Sequence, residues 1–150
     1  GHGGVCCITT LRKQFWYNLL ERLRITDEVL YLLKDVKVMA DSLPKSITSS
    51  LHLENGTAIG LSNRWIDGQY CSIITPIGIV GCGIYDVVVP AKFNQALAVA
   101  EGTPECPLVN PEDLLDAEIA RCTPRATEIG IKPGMKGREA VEKMLKASPT

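Results

Sequence analysis

The chain has 150 residues, 45% hydrophobic and 22% charged, with 16 basic side chains against 17 acidic ones. That composition excludes an intrinsically disordered chain and leaves enough apolar material for a core. A net charge of −1 excludes a generic basic nucleic-acid binder, so no nucleic-acid partner is expected.

Of the two histidines, His2 lies in Gly1-His2-Gly3-Gly4, which reads as an expression-tag scar, leaving His52 as the native imidazole. The six cysteines (Cys6, Cys7, Cys71, Cys82, Cys106 and Cys122) form no CxxC pair, and their gaps do not resemble a finger or ribbon. Neither a metal site nor a cofactor is expected. The N-terminus lacks the charged-then-apolar run of a secretory signal, and scattered thiols in a chain of this length read as reduced and cytoplasmic. Residues 68–85 carry no charge, but Gln69, Ser72, Thr75, Pro76 and several glycines interrupt them, so strands and not a membrane span are expected. Charge is unevenly placed: residues 1–45 carry +2, residues 46–120 carry −7 and residues 121–150 carry +4. Solvated surfaces account for this, as does docking of the basic segment on an acidic neighbour.

In chain order, residues 10–43 read as helix. Leu11, Phe15, Leu19, Leu20 and Leu23 recur at helical spacing, and after Thr26-Asp27-Glu28 the stripe resumes with Val29, Leu32, Leu33, Val36, Met39, Ala40 and Leu43. Pro44 ends it and marks the domain joint, giving a helical arm over 5–44 and a domain over 45–148. The pattern then alternates. Ile47, Ser49, Leu51 and Leu53 face one way; Asn55-Gly56 predicts a hairpin turn; Thr57, Ile59 and Leu61 begin the return strand. Asp67-Gly68 predicts a second turn, residues 70–75 a third strand, Pro76-Ile77-Gly78 a third turn and residues 79–85 a fourth strand. Residues 90–97 predict a short helix, and residues 98–101 are compatible with a strand. Asn110-Pro111-Glu112-Asp113 is a well-formed helix start, Thr123-Pro124 repeats the device with Gly130 as its stop, and residues 137–146 predict the last helix.

Four stretches together carry a family resemblance: Glu54-Asn55-Gly56, Gly78-Ile79-Val80-Gly81-Cys82-Gly83, Pro111-Glu112-Asp113-Leu114-Leu115, and Gly130-Ile131-Lys132-Pro133-Gly134-Met135-Lys136-Gly137-Arg138-Glu139-Ala140. They resemble the YunC-like family, a bacterial and archaeal domain of unknown function, over roughly residues 47–145. The resemblance implies a compact α+β domain, a β-rich first part that mediates tetramer formation, and no established reaction. The sequence departs from the family at Lys136, where Ser or Thr is frequent and would form a capping box with Glu139. Residues 10–43 lie outside the resemblance.

The candidate chemistry is sparse. On an alternating strand Cys82 shares a face with Val80 and Ile84, so it reads as a small buried hydrophobe. As a site residue it would be a thiolate nucleophile or redox thiol near a strand end, which needs a base, a cation or a helix N-terminus to lower its pKa. His52 is the available imidazole, on the polar face of another strand. Gly81 and Gly83 permit close approach of a helix or a ligand. Gly134-Met135-Lys136-Gly137-Arg138 opens a helix, so its free N–H groups with Lys136 and Arg138 form a candidate site for a small anionic ligand. Asp86 reads as a turn cap, with a polar ligand contact from Asp86, Tyr85 or Arg64 as the alternative and Gly83 as a further candidate ligand-binding position.

The expected fold is α+β: a helical N-terminal arm, an antiparallel four-strand β meander, and small C-terminal helices packed on one sheet face. An apolar helical stripe and a sheet edge both need cover, so a homo-oligomer, tetrameric by the resemblance, is expected. A binding or assembly module without catalytic machinery is the leading expectation. A small thiol-dependent enzyme centred on Cys82 and an anion sensor using Lys136 and Arg138 are the alternatives.

Overall fold

The computed structural model describes residues 29, 31–34 and 43–147. The chain divides into two compact units, residues 1–43 and 44–150. In the first, residues 29, 31–34 and 43 are described: residues 29 and 31–34 are helical and residue 43 is a bend; the rest of the expected arm before Pro44 lies outside the described residues.

The second unit is α+β, but its sheet corrects the expected four-strand meander. Six strands stand in sequence order: β1 (Lys45–Leu53), β2 (Gly56–Trp65), β3 (Gly68–Ile74), β4 (Gly78–Gly81), β5 (Ala96–Ala100) and β6 (Ile119–Cys122). The first four pair antiparallel, as alternation predicts; β5 joins β4 in parallel and β6 joins β5 antiparallel. The Ala-Leu-Ala-Val-Ala run of β5 is buried on both faces and shows no alternation, so its start at Ala96-Leu97 reads locally as helix and the strand is expected only from residue 98. Both early turns sit one residue before their expected places. Leu53 pairs with Gly56 and Trp65 with Gly68, so the loops are Glu54-Asn55 and Ile66-Asp67. Gly56 takes the positive φ of 143°; Gly68 is needed for space, since a Cβ there would lie 2.5 Å from the Trp65 ring.

Register puts Leu51, Ala58, Ser62, Cys71, Ile73, Val80, Ala96 and Ala98 on one sheet face. Helices α2 (Pro111–Asp116) and α4 (Gly137–Lys146) close over it through Leu114, Leu115, Ala140, Val141 and Met144. Burying Ile73, Leu114, Ile119, Ile131 and Met144 at about 2 kcal/mol each is what seats these helices. Gly137 sets how close they come: a Cβ there would lie 1.8 Å from the Leu114 carbonyl oxygen. Helix α2 starts as the sequence predicts, with Pro111 in its first turn and the Asp113 carboxylate accepting from the N–H groups of Val109 (3.0 Å) and Asn110 (2.8 Å). Helix α3 (Pro124–Glu128) is capped by Thr123, whose hydroxyl also accepts from Leu97 N (3.0 Å) and donates to Gln95 O (2.7 Å), tying the helix to β5.

The β4–β5 crossover carries α1 (Val88–Lys92), shorter than the helix expected over 90–97. Asn94 ends it with φ 54°, while Asn94 N–H bonds Ala91 O and Gln95 N–H bonds Pro90 O, the two bonds of a Schellman stop. On the second sheet face Tyr85 lies over Gly81, and Pro90 lines a cavity of about 480 Å³ with Tyr85, Ile79 and Leu97.

Candidate functional site

The strand expected over 79–85 stops at Gly81, because the Cys82 carbonyl turns out of the ladder to accept from Tyr85 N–H at 3.1 Å. Cys82 therefore stands at the C-terminal end of β4, at the entry to the loop that leads to α1. It keeps the inward side of Val80 and joins the core, whereas Ile84 is exposed and not on that face. The β3–β4 turn centred on Pro76-Ile77 aligns Ser72 with Gly81 and so sets Cys71 opposite Cys82.

A regular antiparallel pair of the hydrogen-bonded type exchanges two backbone bonds. Here one survives: Cys82 N–H donates to Cys71 O at 3.1 Å. The reciprocal donor, Cys71 N–H, points instead at Cys82 Sγ, 3.4 Å away. A neutral thiol is a weak acceptor and a thiolate a strong one, so a buried amide aimed at sulfur favours the ionised form. The Cys71 thiol donates to the same sulfur and, against the penalty of burial, the backbone N–H groups of Ile84, Cys71 and Cys82 add to it, bringing the Cys82 pKa down to about 5. The same contact, together with burial and the Cys82 charge, pushes the Cys71 thiol far up. The charge belongs on Cys82 because the backbone donors converge there. Both thiols are free; Cys71 is 0% exposed and Cys82 7%.

The loop after Cys82 is fastened from three sides. Arg121, on β6, donates to the carbonyls of Gly83 (3.2 Å) and Tyr85 (3.3 Å) and pairs with Glu101. The two Asp86 carboxylate oxygens accept from Val88 N–H (3.0 Å) and Val89 N–H (2.9 Å), which lowers the Asp86 pKa and makes it the cap of α1. The Tyr85 ring packs on Gly81, where a Cβ would lie 2.4 Å from it, and continues edge-on to Tyr70 at 6.4 Å. Burial raises the Tyr85 pKa. Thus the close approach permitted by Gly81 is taken by this ring and not by a helix. Gly83 beside Cys82 is exposed, with Glu101 Cγ 3.6 Å from where its Cβ would be.

The remaining sequence candidates are placed elsewhere. His52 Nδ1 bonds Thr57 Oγ1 at 3.1 Å across β1 and β2, and no bond joins it to Cys82 among the described residues. Lys136 Nζ donates to Asp116 O (3.1 Å) and Glu118 Oε1 (3.4 Å), whereas Arg138 lines a groove with His52, Glu54 and Glu142. Two of the amides expected to hold an anion are engaged in the fold: Gly134 N–H bonds Ile119 O at 2.7 Å and Gly137 N–H bonds Ala117 O at 2.8 Å. No group of three or more metal-ligating side chains occurs among the described residues. Nor is any of their helices long and apolar enough to cross a membrane. Cys71 and Arg121 are the site residues that sequence reading missed; Tyr85 enters it only as a polar ligand contact. For Cys71 the signal existed, since a turn centred on Pro76-Ile77 pairs it with Cys82. Arg121 reaches the loop only through β6, which no local pattern announces.

Comparison with known proteins places this geometry in context. Residues 81–144, beginning one residue before Cys82, match a domain of unknown function, DUF1805. Among solved structures, a protein of unknown function from Thermoplasma acidophilum is similar with a TM-score of 0.61 at 17% identity, over 67% of this chain and 94% of that one. That likeness is one of fold. No curated protein matches the chain.

Proposed function

Since the chain carries the domain of the YunC-like (DUF1805) family, whose function is unknown, we propose that its chemistry is that of a thiol, with Cys82 as a nucleophile held ionised by the Cys71 side chain and the backbone amides around it. The observation that carries this reading is the Cys71 N–H directed at Cys82 Sγ in place of a ladder carbonyl. The location supports it: ligands of open sheets with parallel strands gather beyond the carboxyl ends of those strands, and Cys82 leaves β4 at that end, next to its parallel partner β5. Because the sulfur is already ionised at neutral pH, it needs no imidazole to take its proton. A low-pKa thiolate attacks small soft electrophiles: disulfides, peroxides and activated carbonyls. A reducing cytoplasm, expected from the cysteine usage, would keep it available.

The test is the pH dependence of alkylation by iodoacetamide, followed cysteine by cysteine by peptide mass. Cys82 should reach its half-maximal rate near pH 5, with the same chain unfolded in urea as the reference for an ordinary thiol. Normalising each cysteine to its own maximum removes the effect of burial. A Cys82 profile that rises in step with the unfolded reference would overturn the reading.

A second reading, homo-oligomeric assembly with a tetramer as its finer form, is supported by the second sheet face. There Ile59 and Trp65 are exposed, and Leu61, Ile74 and Ile79 are only half-buried. A contiguous apolar face of this kind is cover for a partner, here a second copy of the chain. Solution mass by light scattering tests it: Ile59→Lys should lower the mass, and a monomeric wild-type chain would refute it.

A further inference from the structure

We propose that Cys82 and Cys71 are a peroxide-oxidisable pair, in which the Cys82 sulfur takes an oxygen from a small hydroperoxide and Cys71, facing it across β3 and β4, resolves the product into a cross-strand disulfide. This rests on Cys82 being the nucleophile and adds its electrophile and its fate.

Directly opposed residues of an antiparallel pair have Cα atoms about 4.5–5.5 Å apart, inside the span a disulfide tolerates. Register puts both side chains on the same, core-facing side, and the Cys71 N–H lies 3.4 Å from the Cys82 sulfur. Cys122 lies on β6, against β5, and Cys106 lies outside the strands, so among the described cysteines Cys71 alone faces Cys82. Size selects the oxidant. With Cys82 7% exposed and Cys71 fully buried, the sulfur admits only an oxidant little larger than water.

The steps balance. The Cys82 thiolate attacks the terminal oxygen of the hydroperoxide; a sulfur–oxygen bond forms, the O–O bond breaks, and the departing alkoxide or hydroxide takes a solvent proton. Sulfur is oxidised by two electrons and the peroxide is reduced by two, leaving a sulfenic acid. The Cys82 negative charge, which had held the Cys71 proton in place, is then gone. Cys71 sulfur attacks the sulfenic sulfur; the S–S bond forms, the S–O bond breaks, and the hydroxyl leaves with the Cys71 proton as water.

The experiment treats the reduced full-length chain with hydrogen peroxide and maps the products. Cys71 and Cys82 share the tryptic peptide 65–92, so the disulfide appears as the loss of two hydrogens from that peptide, reversed by dithiothreitol. Oxidation there should run about tenfold faster than at exposed Cys106. In Cys71→Ser, dimedone should trap a persistent sulfenic acid at Cys82 that wild type loses. Oxygen added at Cys82 of the wild-type chain, with Cys71 still alkylatable, would overturn the pair even if the Cys82 alkylation profile stays centred near pH 5. Loss of that profile as well would overturn the nucleophile itself.

Discussion

Replacing Cys82 by alanine should alter the pH dependence of stability in a way its volume cannot. In the native chain the two thiols lose one proton near pH 5 and hold the second far above the ordinary thiol value of 9.0. In the unfolded chain both titrate near that ordinary value. Between about pH 5 and pH 9 the unfolded pair therefore carries one proton more than the native pair, and stability rises by about 1.4 kcal/mol per pH unit. Above pH 9 the unfolded pair has lost both protons while the native pair retains one, so stability falls again. A group whose folded pKa is depressed contributes stability above its unfolded pKa and loses it as pH falls, which is the Cys82 limb. In Cys82→Ala that limb is missing, while buried Cys71 keeps its own descending limb. The wild-type minus variant difference should thus be flat below pH 5, climb through the window by at most about 5 kcal/mol, and level off above pH 9. Urea unfolding of both chains in reductant, from about pH 4.5 to 10, measures it. A constant offset across that range, the mark of a lost methylene sulfhydryl packed as a small hydrophobe, would refute the ionised sulfur.

Two further outcomes follow from packing and hydrogen bonding. Gly137→Ala puts a Cβ 1.8 Å from the Leu114 carbonyl, a backbone atom that cannot swing aside, so thermal unfolding should show a loss of about 3 kcal/mol; an unchanged Tm would mean that α2 and α4 pack less closely than described. Glu142 takes the N–H groups of Glu54 (2.9 Å) and Asn55 (3.0 Å), and these bonds with the Asn55 side chain outweigh burial and lower its pKa. Its contribution, about 1 kcal/mol after solvent screening, should be present above the ordinary carboxylate value of 4.5 and vanish as pH falls through the lowered one. Glu142→Gln should therefore be destabilised at neutral pH and match wild type in strong acid by denaturant titration.

The sequence carried the local half of the fold. Alternation and Gly56 located β1 and β2, Asn110 and Asp113 announced α2, and Asp86 was legible as a cap because its carboxylate reaches amides two and three residues on. What failed was non-local. Strand β5 has no polar face to create a period, and β6 exists through its pairing with β5. The site divides the same way. Cys82 was visible as a thiol at a strand end, but its ionisation is set by Cys71 across the sheet and by a carbonyl that leaves the ladder at residue 82. The sequence searched for an imidazole or a cation; the structure supplies backbone amides, which every residue carries and no composition reveals. Lys136 and Arg138 show the converse, being adjacent in sequence yet engaged with different partners.

Thiolate absorption in the ultraviolet, titrated in wild type and in Cys82→Ala, counts ionised sulfurs directly. The difference should be one thiolate appearing in a single step near pH 5, complete well before neutrality. A difference that emerges only above about pH 8 would mean that Cys82 is an ordinary buried cysteine.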